Sequence, residues 1–193
     1  MDKKAVTASQ ASIAKAASSL EALKNAKTFP QFEAAWSDFL LAAGRVFSKL
    51  EQGAKISGPS KAWYGHQKHL RRTDPLLSYI HHARNIDEHG IEQITELKPG
   101  SVGIGTTGTT QVERLRIENR PEGVTVEAKT TGDPLVVSIT PPQPRLISVI
   151  DHGDRYDPPK EHLGTPISDP SPIKIAELAL SYLRSMTDEA SKL

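Results

Sequence analysis

An arginine and a histidine stand five residues apart in the run Arg84-Asn85-Ile86-Asp87-Glu88-His89. Arginine can hold a phosphate through two parallel hydrogen bonds, and histidine can take up or release a proton near neutral pH. Together these two side chains could bind a phosphodiester and transfer the protons that its cleavage requires. They can do so only if the intervening backbone is rigid.

The residues around this run predict a helix with a clear start and end. Asp74 is a good N-cap, and Pro75 fits the first helical position. Gly90 can take the left-handed conformation that often follows a helix. We therefore expect a helix from Pro75 to His89.

Projection of this helix separates an apolar face from a polar one. The apolar arc comprises Leu76, Tyr79, Ile80, Ala83 and Ile86. The opposite face carries Ser78, His82, Asn85 and His89. Arg84 lies on a shoulder, so its long side chain must swing round to reach Asn85 and His89. A stripe without Lys or Glu suits a contact between two copies of the helix better than open solvent.

The run Tyr79–His89 resembles the signature of the HEPN superfamily, in which an Arg, a polar residue and a His four to six residues further on share a helix. Two other pairs, Arg145–His152 and Arg155–His162, also fit the pattern, with six residues between Arg and His, but the first falls mostly on a predicted strand and the second in a proline-rich segment. The resemblance covers residues 60–92 in local pattern and residues 5–97 in architecture. It implies a helical bundle that dimerises through the motif helix.

Many HEPN proteins are metal-independent RNases, and the resemblance implies roles for three residues. Arg84 would bind the scissile phosphate and offset the charge that builds up on its oxygens. His89 would take the proton from a ribose 2′-hydroxyl or protonate the leaving oxygen. Asn85 would orient His89 or hydrogen-bond the phosphate. Attack by a 2′-hydroxyl requires no metal and excludes DNA as a substrate. Without catalysis, Arg84 would simply pair with Glu88 and His89 would end the helix.

A basic segment precedes the motif helix and could steer a polyanion toward it. Residues 61–72 contain four Lys or Arg, two His and no acid, and residues 1–98 carry 14 basic against 10 acidic side chains. The alternative is a solvated helix face. The predicted substrate-binding residues, from this segment and from the polar stripe, are Lys68, Arg71, Arg72, Ser78 and His82.

The distribution of residue types along the chain predicts an α+β fold that is mainly α. Residues 1–97 have helical periodicity, with helices expected at about 5–26, 28–53 and 61–71. Residues 98–170 hold most of the Pro and Gly, and four short runs predict an antiparallel β meander: Gln111–Glu118, Val124–Lys129, Leu135–Thr140 and Arg145–Ile150. A proline-rich connector follows the meander. Residues 171–193 predict a C-terminal helix that packs back on the bundle.

Several other chemistries receive little support. The absence of cysteine excludes disulfides, thiolate catalysis and Cys-based zinc sites. Gly103-Ile104-Gly105-Thr106-Thr107-Gly108 matches a dinucleotide-binding pattern but lacks the preceding strand and following helix. His66 and His69, or His82 and His89, form no recognisable metal-ligand set, so we expect neither metal nor cofactor. Asp151, Asp154, Arg155, Tyr156 and His162 form a polar cluster that either lines a pocket or is a solvated turn.

Two hypotheses from different classes follow. In the first, the chain is a dimeric, metal-independent endoribonuclease, acting as a toxin or defence effector and possessing an antitoxin partner. In the second, it is a non-catalytic interaction or nucleotide-binding module. No apolar run approaches the roughly 20 residues that span a bilayer and no signal peptide is evident, so a cytoplasmic location is the default expectation.

Overall fold

The computed structural model describes residues 1–90, 92–120 and 123–193, and it is α+β with helix predominating. A single 3-10 turn, Ala54–Ile56, follows the second helix. The helices are α1 (Lys3–Asn25), α2 (Phe29–Gly53), α3 (Gly58–Thr73), α4 (Pro75–His89) and α5 (Pro172–Ser191). An Asp, Ser or Thr side chain caps the first turn of each helix. Helices α1 and α3 begin earlier than predicted, at Lys3 and Gly58, because Asp2 and Ser57 act as caps that were not recognised in the sequence.

The ends of α4 confirm one expectation and correct another. Asp74 accepts a hydrogen bond from the Leu77 backbone N–H at 2.9 Å, and Pro75 occupies the first turn. Gly90, however, has φ −101° and ψ 176°, so its predicted left-handed conformation is wrong. A Cβ atom at Gly90 would lie 2.7 Å from the Ile86 carbonyl oxygen. Glycine is therefore favoured at position 90 because any side chain would collide with the Ile86 carbonyl group.

A single hydrophobic core joins the helices. Trp36, Phe39 and Leu40 of α2 are fully buried, as are Ile175 and Leu183 of α5, whose residues pack with α1 and α2. The C-terminal helix thus returns to the bundle as predicted. Helix α4 also enters the core through five buried residues, Leu76, Leu77, Tyr79, Ile80 and Ala83, whereas Ile86 of the predicted apolar arc is only half-buried.

The strands form small antiparallel ladders. In chain order they are β1 (Thr95–Lys98), β2 (Ser101–Thr106), β3 (Thr110–Arg120), β4 (Gly123–Gly132), β5 (Leu135–Thr140), β6 (Gln143–Leu146), β7 (Val149–Asp151), β8 (Asp154–Tyr156), β9 (Glu161–His162) and β10 (Thr165–Pro166). The pairs are β1 with β6, β2 with β5, β3 with β4, β7 with β8, and β9 with β10.

The predicted meander is wrong, because the strands pair as nested hairpins. The first predicted pairing is observed, because β3 pairs with β4. The second is not: β5 pairs with β2, a strand that was not predicted, instead of with β4, and the β2–β5 ladder encloses the β3–β4 hairpin. Asp133 fixes this arrangement: its carboxylate accepts the Thr109 backbone N–H at 2.8 Å, and its carbonyl accepts the Thr110 hydroxyl at 2.6 Å. These bonds join the start of β3 to the end of β4, so the chain does not reverse between β2 and β3.

The chain divides into two compact units at boundaries that differ from those predicted. One unit comprises residues 1–96 and 144–193, and the other comprises residues 97–143. Residues 144–170, predicted to belong with the strands, form part of the helical unit. Among the described residues of 97–143, none is buried. This β unit therefore relies on ladder hydrogen bonds rather than on a core of its own.

Candidate functional site

Arg84 reaches round α4 as its position on the shoulder requires. Its Nη1 donates to the Asn85 side-chain oxygen at 3.1 Å, and its Nη2 forms an ion pair with Glu88. The stem runs beside Gly44 of α2, where an added Cβ would lie 3.1 Å from Nε. The guanidinium therefore contacts the polar face of α4, but it is paired with an acid.

His89 is the last residue of α4, and its surroundings are open. The residue is exposed, and it makes no hydrogen bond or ion pair with any described residue. Asn85 lies one turn earlier on the same face, which is the side of the helix that the Arg84 guanidinium contacts. The imidazole is thus accessible to a ligand, while no described contact fixes its orientation.

The middle of α4 carries a closed polar cluster. The Asp151 carboxylate lies 2.7 Å from His82 Nδ1 and accepts a hydrogen bond from the Asn85 side-chain nitrogen at 2.9 Å. Asp151 is only 6% exposed. Burial alone would raise the pKa of this carboxyl, but the hydrogen bonds from His82 and Asn85 outweigh it and hold the pKa below its ordinary value. An ionised carboxylate only accepts, so His82 Nδ1 carries the hydrogen.

A tight β hairpin brings Asp151 and Tyr156 onto this cluster. Strands β7 and β8 are joined by His152 and Gly153, both with positive φ, which suits a two-residue hairpin turn. The Tyr156 ring stacks on the His82 ring with centroids 3.6 Å apart and planes 12° apart. The hairpin therefore covers His82 from one side while Asp151 binds its edge.

This contact changes the interpretation of the polar stripe. We expected Ser78, His82, Asn85 and His89 to face a second copy, but the same chain binds His82 and Asn85. Ser78 lines a surface cavity of about 440 Å³ together with Arg155, Tyr156 and Lys160. Ser78 and His89 have no side-chain hydrogen bond or ion pair in the part of the chain that the structure describes, and of these two only His89 is exposed. The polarity of the middle of the stripe thus has an explanation within one chain.

The basic segment before α4 does not form one continuous surface. Lys68 lies 3.8 Å from the Glu51 carboxylate, while Arg71 packs its guanidinium 5.0 Å from the Phe47 ring centre. Arg72 is exposed. Of these three predicted substrate-binding residues, only Arg71 lines a cavity that Arg84 also lines.

The polar cluster predicted at residues 151–162 is split between two places on α4. Asp151 and Tyr156 contact His82, whereas His162 Nδ1 lies 3.0 Å from the Asp74 carboxylate. Asp74 also accepts the Leu163 backbone N–H at 2.6 Å. Burial would raise the pKa of Asp74, but these bonds together with that from Leu77 lower it. Its N-capping role was predictable, whereas its contact with a residue 88 positions away was not.

His81 is a residue that the sequence did not single out. It lines the cavity that contains Arg71 and Arg84, and burial, followed by those two arginines and His82, lowers its pKa to about 4. The helical projection could have drawn attention to it, since it lies between the Arg84 shoulder and the polar stripe. No group of three His, Asp or Glu able to hold a metal ion occurs among the described residues.

Comparisons with protein-family models, curated proteins and solved structures found no match to this chain. In the described part of the chain, no helix has the length and apolar character needed to cross a membrane.

Proposed function

We propose that this chain is a metal-independent endoribonuclease of the HEPN type. It would act in the cytoplasm as a homodimer, in which two copies of α4 bring their Arg84 and His89 side chains together. The observation that carries the proposal is the contact between the Arg84 guanidinium and Asn85, on the helix face that also bears an exposed His89 without a described partner. The helical unit would correspond to the HEPN bundle.

Each of the three side chains has a defined task in this reaction. Arg84 binds a nonbridging oxygen of the scissile phosphate, which replaces Glu88 as the anion at the guanidinium. One His89 accepts the proton of the 2′-hydroxyl as its oxygen bonds to phosphorus, and the partner's His89 protonates the departing 5′-oxygen. The products are a 2′,3′-cyclic phosphate and a 5′-hydroxyl. Asn85, held by Asp151, keeps the Arg84 guanidinium on the reacting face.

The Arg84–Glu88 ion pair favours a second candidate, a non-catalytic interaction or nucleotide-binding module. In such a module the pair would stabilise the end of α4, and it would not exchange with a phosphate. The two candidates differ in whether RNA is cleaved.

The test incubates purified protein with an RNA and with a DNA of the same sequence, in excess EDTA. We expect the RNA alone to be cut, and we expect Arg84→Ala and His89→Ala each to slow cleavage by about 10²-fold or more. Arg45→Ala and His69→Ala are matched controls, because both residues are exposed on other helices. These controls should cleave as the wild type does.

Two results would reject the ribonuclease proposal. One is the absence of RNA cleavage by concentrated wild-type protein. The other is cleavage that neither motif substitution changes, which would indicate a contaminating nuclease. Loss of activity in the motif variants must be accompanied by unchanged circular dichroism, so that unfolding is not mistaken for loss of a reacting group.

A further inference from the structure

A cavity of about 210 Å³ lies between α2, α3 and α4, on the shoulder side of the motif helix. Its walls are apolar where Phe47, Leu77 and Ile80 contribute. Its polar lining includes Arg71 from α3, with His81 and Arg84 from α4. Three nitrogen-bearing side chains from two helices therefore converge on one small space.

Both arginines present hydrogen-bond donors that the described protein does not use. The Nε atoms of Arg71 and Arg84 are buried and have no hydrogen-bond partner among the described residues. The remaining nitrogens of Arg84 bind Asn85 and Glu88, whereas Arg71 makes no hydrogen bond or ion pair with a described residue and its guanidinium lies over the Phe47 ring. Because the Nε atoms are too buried for a ligand oxygen to reach, a ligand in the cavity would have to use the terminal nitrogens of Arg71.

His81 adds a third donor without a described partner. It makes no hydrogen bond to any described side chain or backbone group, although its ring packs near His82 with centroids 5.0 Å apart. Because burial and the nearby arginines lower its pKa to about 4, the ring is neutral at pH 7. A neutral imidazole still offers one N–H, and it adds no further charge to the cavity.

Gly44 provides the room in which Arg84 lies. A Cβ at this position would be 3.1 Å from Arg84 Nε and 3.3 Å from its Cδ, closer than side chains usually pack. Glycine lowers the stability of a helix interior, so a residue without a side chain here has a cost to α2. That cost is consistent with a requirement to keep the Arg84 stem against α2, beside the cavity.

One acidic residue also lines the cavity and limits the charge of a ligand. Glu51 contributes a carboxylate, which lies 3.8 Å from the Lys68 ammonium. Glu88, outside the cavity, already pairs with Arg84, and Lys68 pairs with Glu51, so the positive charge of Arg71 is the one left unbalanced by a described acid. The cavity therefore favours a small anion over a cation.

We propose that this cavity binds a phosphate group through the terminal guanidinium nitrogens of Arg71, with an N–H of His81 and the Arg84 side chain beside it. A tetrahedral phosphate has several terminal oxygens and can accept from donors that approach from different sides, whereas a planar carboxylate has two. The inference concerns binding alone and does not depend on RNA cleavage. A chain without ribonuclease activity could still bind phosphate here.

The test measures binding of inorganic phosphate and of AMP at constant ionic strength. Imidazole resonances are followed by ¹H–¹⁵N NMR, with His81 assigned through His81→Gln. We expect a saturable shift of the His81 signal with at least one of the two probes. AMP binding more tightly would identify a nucleotide as the source of the phosphate, and equal affinities would identify the phosphate group alone; either result supports the proposal.

Neighbouring arginines on α3 supply a matched control. Arg71→Gln should weaken binding about tenfold or more, while Arg72→Gln removes the same charge from an exposed position and should change affinity less than about twofold. Arg71→Lys keeps the charge and the packing stem but loses the planar fork, so about fivefold weaker binding is expected even if Arg71→Gln fails to fold. Absence of a saturable His81 shift, or equal weakening by Arg71→Gln and Arg72→Gln, would overturn the proposal.

Discussion

The middle and the end of α4 carry the same kinds of side chain in opposite environments. His82 and His89 lie seven residues apart on one face of the helix. His82 is bound by Asp151 and stacked under Tyr156, whereas His89 is exposed without a described partner. A polar stripe on an amphipathic helix therefore does not indicate one role for all its members. The β7–β8 hairpin holds His82 in place, and His89 lies beyond it and is exposed.

The polar cluster at the middle of α4 also orients the Arg84 side chain near the end of the helix. Asp151 accepts from the Asn85 nitrogen, which fixes the amide orientation and leaves its oxygen to accept from Arg84. A carboxylate almost seventy residues away in sequence thus helps to hold the motif arginine. Asp151 acts in this account as a positioning residue, because it contacts neither the proposed phosphate nor the proton.

The largest effect on stability is expected from removing Asp151, the acceptor of the polar cluster at the middle of α4. Asp151→Ala leaves His82 and Asn85 with donors that lack an acceptor, so the free energy of unfolding should fall by about 3 kcal/mol. His89→Ala removes no described contact and should change it by less than about 0.5 kcal/mol. Urea unfolding followed by circular dichroism measures both values.

Asp154→Ala is the matched control for this difference. Asp154 lies opposite Asp151 in the register of β7 and β8, but its side chain is exposed. Asp154→Ala should therefore lower the free energy of unfolding far less than Asp151→Ala. If Asp151→Ala is no more destabilising than Asp154→Ala, the cluster contributes little and the contrast between the two parts of α4 is lost.

A smaller effect is expected from the pH dependence of stability. The pKa of His81 is lowered to about 4 in the folded chain, against an ordinary value near 6.5. Between these values the unfolded chain binds more protons, so stability decreases as the pH falls from about 6.5 to 4. Allowing for partial solvent access, the wild type should lose about 1–2 kcal/mol more than His81→Gln between pH 7 and pH 4.5.

This measurement requires a phosphate-free buffer, since a bound anion would itself change the titration of His81. Urea unfolding at a series of pH values gives the two curves. Parallel curves for the wild type and His81→Gln would show that His81 titrates alike in the folded and unfolded chain, and would contradict the account of its surroundings.

Local rules predicted the parts of the fold that depend on neighbours in sequence. Asp74 and Pro75 gave the start of α4, and its periodicity gave the buried residues Leu76, Ile80 and Ala83. The strand Leu135–Thr140 was also predicted with its observed bounds. Such features follow from capping and from the repeat of the backbone, which one segment determines by itself.

Long-range pairing could not be predicted in this way. The alternation of residues 111–140 predicts strands but does not state which strand pairs with which, and the partner of β5, the strand β2, was not predicted. The nested hairpins depend on the contact of Asp133 with Thr109. The same limit applies to the site, because the Asp151–His82 contact joins segments that no local pattern connects. The sequence predicted the motif helix, but it did not predict that a hairpin covers half of its polar face.

The most direct test of the account asks whether a second copy completes the open end of α4. The chain contains no cysteine, so His89→Cys supplies a single thiol at that end. If two motif helices converge, dilute His89→Cys protein should form covalent dimers with a short bismaleimide, and Lys49→Cys, an exposed position on α2, should stay largely uncrosslinked. His89→Cys protein that yields no more dimer than Lys49→Cys would contradict the composite site.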